Sequence, residues 1–351
     1  MLDYEVVIVG GGQAGLAVGY YLKKEGIPFV ILDKNDRVGD SWRNRYDSLV
    51  LFTPHTYSCL PGLEMEGLSK EFPTKDDIAN YLDSYAELFD LPIMFNSNVS
   101  KLNKQSDGSF LVETNHGKIN AKQVVVATGA FQKPFIPNVI KNETSIFQLH
   151  SSEYHSPSEV KGTDILVIGG GNSGAQIAVE LAQDHNVTIA VGYKFKFLPL
   201  TFLGRSIFHW LELFGLLYAG KDTLKGKWFQ KQKDPIFGNE LKNLIKHNKV
   251  DVKPKVTQVI DDEVQFKDNT RRTFTSIIWA TGFVPSYDWM TIEGVTSDDG
   301  KPIHNRGITN IKGLYFIGLP WQYQRGSALI CGVSLDANYL IPIIISNISK
   351  A

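Results

Sequence analysis

Residues 10–15, Gly-Gly-Gly-Gln-Ala-Gly, and residues 169–174, Gly-Gly-Gly-Asn-Ser-Gly, repeat one phosphate-binding pattern, G-x-G-x-x-G. Each copy follows a short β-branched run and opens a helix-like stretch. In that setting Gly10 and Gly169 allow a tight strand-to-helix turn, and Gly12 and Gly171 let the backbone approach a pyrophosphate. Gly15 and Gly174 let helix and strand pack closely. Gln13, Ala14, Asn172 and Ser173 lie at the helix N-terminus, where free N–H groups and positive potential favour an anion. Two copies in this setting argue for two dinucleotides on one chain.

The elements that must carry these turns are legible nearby. Strand Tyr4–Val9 precedes the first turn, and a helix runs from about Ala14 to Lys24. A second strand, Pro28–Leu32, leads to Asp33 and Lys34, about 20 residues beyond the turn, where an acid accepts hydrogen bonds from an adenosine ribose and repels a 2′-phosphate. In the second copy the strands are Asp164–Ile168 and Val187–Val191. The latter runs into Tyr193, Lys194 and Lys196, with no acid. The lysines could meet a phosphate or be solvated surface charges. The first site suits FAD or NAD, and the second leans toward NADPH, with NADH also admitted.

Two echoes mark where the chain crosses between units: Ala127-Thr128-Gly129 and Ala280-Thr281-Gly282 each end an apolar strand. Small residues there permit close backbone approach. The predicted fold class is α/β, with two Rossmann-like dinucleotide-binding domains, the NAD(P)H domain inserted into the FAD domain. Residues 1–155 form the first part of the FAD domain, residues 156–280 the NAD(P)H domain, and residues 281–351 the return. A polar linker is expected over 151–158, a last strand over 313–318, and a final helix from about Ser334. The aromatic-rich stretch of about 198–237, interleaved with Arg205, Lys221, Lys225 and Lys227, reads as a helical insertion. It could pack on its own domain or a dimer mate, cover the active-site mouth, or rest on a membrane.

Composition fits an enzyme acting on small molecules. Hydrophobic residues make up 43% of 351, and with a net charge of only -1 nothing in the composition points to nucleic acid or to an anionic membrane surface. The first strand begins almost at Met1, which leaves no room for a signal peptide, and no window approaches the roughly 18 apolar residues of a spanning helix. A cytoplasmic protein without a transmembrane segment is expected. Cys59 and Cys331 form no C-x-x-C, and the eight histidines show no metal-ligand spacing, so no metal is expected. A homodimer is left open.

Further motifs resemble the flavin-containing monooxygenase superfamily, most closely its small bacterial single-chain, CzcO-like branch, with the plant indole-pyruvate monooxygenases more distant. They are Gly39-Asp40-Ser41-Trp42, Glu71–Lys75, the stretch Phe147–Tyr154 containing His150, and Gly318-Leu319-Pro320-Trp321. The resemblance covers nearly the whole chain. It implies flavin contacts from Ser41, Trp42, Thr53, Gly318 and Trp321. It also implies hydride transfer from NADPH to FAD, addition of O₂ at the flavin C4a, and transfer of one oxygen atom from a (hydro)peroxyflavin to a small organic substrate by S-, N- or Baeyer-Villiger oxygenation. Phe52 stands where many relatives carry Asn and cannot donate a hydrogen bond. It could shorten the life of the oxygen adduct or simply wall the flavin pocket. His150 could steady the nicotinamide domain or be an ordinary linker histidine. An NAD(P)H:acceptor oxidoreductase or oxidase, and a non-catalytic redox-sensing flavoprotein, are the alternatives.

Overall fold

The computed structural model describes residues 2–67 and 71–348. The first half opens with β1 (Leu2–Val9), α1 (Gln13–Lys24), β2 (Phe29–Leu32), the short α2 (Asp40–Arg43) and α3 (Lys75–Leu88). Then come β3 (Ile93–Met94), β4 (Val99–Lys104), β5 (Phe110–Thr114) and β6 (Gly117–Val126). Their order in the sheet is β3-β2-β1-β6-β5-β4. β1 pairs in parallel with β2 and β6, while β4, β5 and the start of β6 form an antiparallel meander. Val6–Val9 are buried on both faces, which explains a continuous rather than alternating apolar run. α3 starts at a capping box, in which Thr74 and Asp77 satisfy each other's backbone N–H groups.

The chain continues through β7 (Lys133–Pro134), β8 (Phe147–His150), β9 (Asp164–Ile168), α4 (Asn172–Leu181) and β10 (Asn186–Val191). Next come β11 (Phe197–Leu198), β12 (Thr201–Phe202), β13 (Arg205–Ser206), α5 (Ile207–Leu213), α6 (Leu224–Gln230) and β14 (Ile236–Phe237). After α7 (Glu240–Lys246) and β15 (Val250–Pro254), an antiparallel ribbon of β16 (Val256–Ile260), β17 (Glu263–Phe266) and β18 (Arg271–Thr273) leads to β19 (Ser276–Trp279). The second sheet is wholly parallel, in the order β15-β10-β9-β19-β8. β20 (Phe283–Val284) pairs with β7 to make an antiparallel ribbon where the chain crosses back. β21 (Leu314–Phe316) rejoins β6 in the first sheet, and α8 (Ile330–Ile348) packs against α1.

Four expectations change. The strand Phe147–His150, assigned to the first unit by its position before residue 155, belongs to the second sheet, because its backbone partners are Ser276–Trp279. Residues 151–158 are not a loose linker. Ser151 and Tyr154 are buried, the Tyr154 hydroxyl donates to Glu180 at 2.7 Å, and His155 accepts the Asp47 N–H. The insertion is not a plain helical hairpin, since α5 and α6 are each only seven residues long and two short ribbons flank them. Finally, α8 begins before Ser334 and is long and apolar enough to cross a membrane by length and composition. Here it is a core helix: Val333, Ala337, Leu340, Ile341 and Ile344 are buried, and Asp336 is buried beside Arg306 at 3.4 Å. Each of those apolar side chains contributes about 1.5–3 kcal/mol by leaving water, with Ala337 below that range.

Candidate functional site

The two glycine turns are near copies in space as well as in sequence. In the first, Gly10 has φ +109°, and a Cβ there would fall 2.6 Å from the Ala127 carbonyl oxygen. In the second, Gly169 has φ +121°, with a Cβ 2.1 Å from the Ala280 oxygen. The two Ala-Thr-Gly echoes are therefore the walls against which the turns close. Gly15 and Gly174 pack on their own turns, where a Cβ would meet the Gly10 and Gly169 oxygens at 1.9 and 2.3 Å. Gly12 and Gly171 differ from all of these: both are extended, and a Cβ on either meets nothing within 4 Å. Neither α1 nor α4 has a side-chain N-cap or an acid in its first turn. Each helix thus presents uncapped N–H groups to open space, the condition for seating an anion.

Around the first turn, Asp33 is buried and accepts the Gly11 N–H at 2.5 Å and the Asn35 N–H at 2.8 Å. The carboxylate is thus held at the edge of the turn. Lys34 beside it is exposed, and Gln13 is half-buried. Ala14 lies under the return segment, where a Cβ on Gly318 would approach the Ala14 Cβ to 2.9 Å.

Around the second turn, a Cβ on Gly170 would meet Val191, Phe195 and Tyr193, so an aromatic wall replaces the acid. Tyr193 is stacked by the Lys233 ammonium at 4.7 Å. Lys194 is exposed, and Lys196 donates to the Gln232 side chain at 3.2 Å. Asn172 is occupied structurally, accepting the Phe237 N–H at 2.9 Å and donating to the Pro235 carbonyl at 3.2 Å. That clamp ties the end of the insertion to the turn. The phenol of Tyr46 reaches across from the first unit and donates to the Gln176 side chain of α4 at 2.9 Å, near Ser173.

The remaining sequence-derived residues pack around the two units and the insertion. Trp42 is half-buried and packs on the cores of both units, with the exposed Ser41 beside it. Thr53 is buried, its hydroxyl bonded to Ser58 at 2.9 Å. Phe52 belongs to a three-ring cluster, 4.5 Å from Phe237 and 6.0 Å from Phe208, which are themselves 5.7 Å apart. The cluster links the first unit to the insertion. Trp321 has φ +55° and meets Phe229 of α6 edge-on at 5.9 Å. Thr128 accepts from Gln132 at 2.8 Å, while Thr281 donates to the Phe135 carbonyl. Gly129 and Gly282 take φ +71° and +80° to turn the chain away.

His150 is a pin. Its Nε2–H donates to the Gly282 carbonyl at 3.0 Å, and Nδ1 accepts the Ser152 N–H at 3.1 Å, which fixes the neutral tautomer. Burial lowers its pKa below the ordinary histidine value, partly opposed by the bond to Gly282. Because the folded pKa is depressed, protonation favours the unfolded chain. The stability His150 contributes is present above about pH 6.5 and declines as pH falls through the folded value. His150→Ala should cost about 2–4 kcal/mol in urea denaturation at pH 7.5 by opening a cavity and stranding the Gly282 carbonyl. It should also flatten the fall in stability below pH 6.5, and an unaltered pH profile would refute the pin.

Arg45 escaped sequence reading. Its guanidinium lies 5.0 Å from the Phe131 ring and 5.9 Å from Phe283, the residues that follow the two Ala-Thr-Gly walls. It makes no ion pair among the described residues, and burial depresses its pKa. A mostly buried cation without an ion pair, lying against the rings that follow the two crossings, is costly unless it meets an anion. Nothing in its local sequence signals it.

A cavity of about 700 Å³ opens beside this region, between Thr56, Tyr57 and Cys59 and the insertion residues Arg205, His209 and Glu212. Cys331, at the start of α8, also faces it. The two cysteines, far apart in sequence, thus share one cavity. They are not a reactive dithiol: burial raises the Cys59 pKa and pushes Cys331 up to about 12, so both remain protonated. Among the described residues no His, Cys, Asp or Glu cluster could hold a metal ion.

Comparison with known proteins agrees with this geometry. The family model for pyridine nucleotide-disulphide oxidoreductases matches residues 7–196. The chain is 51% identical to an uncharacterized CzcO-like oxidoreductase of Geobacillus kaustophilus, over 96% of this chain and 97% of that one. It is 29% identical to the probable indole-3-pyruvate monooxygenase YUCCA1 of Arabidopsis thaliana, over 93% and 88% of the two chains. A flavin-containing monooxygenase from Stenotrophomonas maltophilia superposes with a TM-score of 0.83 at 25% identity, covering 99% of each chain. Fold and comparisons define a flavin-dependent oxidoreductase of mixed α/β architecture. More narrowly, the chain belongs to the pyridine nucleotide-disulphide oxidoreductase family, as a CzcO-like member of the flavin monooxygenase superfamily.

Proposed function

We propose that this chain is an FAD-dependent monooxygenase that consumes NAD(P)H and O₂ to oxygenate a small organic substrate. In this reading each of the two large sheets, the first mixed and the second parallel, belongs to a Rossmann-like domain, with the NAD(P)H domain inserted into the FAD domain. The observation that carries it is the pair of open cradles over Gly12 and Gly171, each at an uncapped helix N-terminus and each closed by an Ala-Thr-Gly wall. The residues present fit both groups. Gly10 through Gly15 would seat the FAD pyrophosphate and Asp33 its ribose, with Ser41, Trp42, Thr53, Gly318 and Trp321 toward the flavin ring. Gly169 through Gly174, Tyr193, Lys194 and Lys196 would hold the nicotinamide dinucleotide. Bound flavin supplies hydride acceptance and oxygen activation.

What the protein contributes is position and dryness. His150 holds the Gly282 crossing in place without exchanging a proton, because its two nitrogens are both committed. Arg45, between the two crossings, is placed to meet a cofactor anion in a desolvated setting, where its charge is screened least. The cavity between Tyr57 and the insertion would take the substrate, and its protonated thiols cannot compete as nucleophiles. A thioether, an amine or a reactive carbonyl is the expected reacting group.

Turnover under ¹⁸O₂ tests the reading. One labelled oxygen should enter the product for each NADPH oxidised. A second reading, an NAD(P)H oxidase or acceptor reductase, draws on Phe52, whose ring is packed against Phe237 and has no donor to offer. It calls for unlabelled substrate, with one peroxide per NADPH from an oxidase or one two-electron-reduced acceptor per NADPH from a reductase. Coenzyme choice is tested separately. Lys194→Ala with Lys196→Ala should raise the KM for NADPH about five- to tenfold and leave that for NADH unchanged, since exposed charges on a phosphate act at modest strength. Equal shifts for both coenzymes would assign these lysines to solvent.

A further inference from the structure

The insertion carries a surface that the proposed reaction does not use. At the tip of the β12–β13 hairpin, Leu203 and Gly204 take φ +48° and +71°, two successive left-handed residues. A two-residue turn of that kind favours Asn-Gly, and a leucine there is strained. Leu203 is nevertheless 76% exposed, so nothing in the fold rewards it. Its neighbours are equally bare: Phe202, Leu213, Phe214, Leu224 and Trp228 are all more than half exposed. They form one patch. Phe202 meets Trp210 edge-on at 6.1 Å, Trp210 stacks on Phe214 at 6.2 Å, and Lys225 Nζ donates to the Phe214 carbonyl at 2.8 Å. That last bond brings the start of α6 beside the end of α5, and Trp228 follows Leu224 one turn later on the same face.

The charge of this segment leans one way: residues 202–234 carry six basic side chains, Arg205, Lys221, Lys225, Lys227, Lys231 and Lys233, against three acids, Glu212, Asp222 and Asp234. Lys227 and Lys231 are exposed and make no ion pair among the described residues, whereas Asp234 pairs with Arg325 at 3.0 Å. We infer that this face docks on an anionic phospholipid surface. The leucines and aromatics enter the acyl boundary, and the lysines meet the headgroups. The same segment supplies Arg205, His209 and Glu212 to the cavity wall, so docking would bring the cavity beside the bilayer.

Flotation of the full chain with vesicles tests this, independently of any cofactor. Binding to phosphatidylcholine/phosphatidylglycerol vesicles (3:1) should exceed that to pure phosphatidylcholine at least tenfold and weaken with salt. Lys227→Gln with Lys231→Gln should lower it about 25-fold, fivefold per lysine. Leu224→Ser with Trp228→Ser should lower it at least tenfold. Leu203→Asn should weaken binding while leaving the melting temperature unchanged or higher, which separates lost docking from lost folding. Equal binding to both vesicle types, or none to either, overturns the inference. So does a lipid-free dimer in light scattering that Leu224→Ser with Trp228→Ser converts to monomer, since a second copy would then cover the patch.

Discussion

Gly12→Val yields a folded, colourless protein. The backbone at Gly12 is extended, which a β-branched residue adopts readily, and no atom lies within 4 Å of the added Cβ. The empty fold therefore has no reason to object, and its melting temperature should stay within about 2 °C. The valine methyls would instead fill the space over the N-terminus of α1 where a pyrophosphate must sit. Flavin affinity should drop at least about 100-fold, roughly 3 kcal/mol, read as the ratio of flavin to protein absorbance after reconstitution. Gly15→Ala is the contrasting case. Its Cβ would stand 1.9 Å from the Gly10 oxygen, so the helix must leave its strand and the fold itself should fail, at a cost above about 4 kcal/mol. A fully yellow Gly12→Val protein would remove the first cradle from the mechanism.

Gly171→Val keeps its colour and loses its reductant. The same geometry recurs at the second turn: extended backbone, open space at the Cβ, and an uncapped helix behind it. The rate of flavin reduction by NADPH, followed anaerobically, should fall at least about 100-fold. Dithionite should still bleach the flavin fully, which shows that the bound ring remains competent. Reduction by NADPH at the unmodified rate would mean that the nicotinamide does not use this turn. The pair of variants also separates the two sites from each other, because neither turn touches the other's wall: Gly10 closes on Ala127 and Gly169 on Ala280.

Both turns were legible in the residues alone because everything that defines them is local. A glycine at positive φ, a β-branched run before it and a helix-forming stretch after it all act within some ten residues, through backbone sterics and N–H geometry. The strands β1, β2, β9 and β10, and Asp33 at the end of one of them, follow from the same short-range rules. The boundary after residue 155 was misplaced for the opposite reason. An edge strand such as Phe147–His150 has an ordinary local pattern, and only its pairing with Ser276–Trp279 says which sheet it joins.

The sequence by itself determined the paired cradles, the α/β class and the family. Tertiary structure alone decided that Arg45 stands unpaired between the two crossings, that Cys59 and Cys331 share a cavity, that Phe52 is locked in a stack with Phe208 and Phe237, and that Asn172 serves the insertion rather than open space. Each of those facts depends on side chains contributed by elements remote in the chain. Their meeting is set by how two sheets and an insertion pack, and no spacing of residues along a strand or helix encodes it.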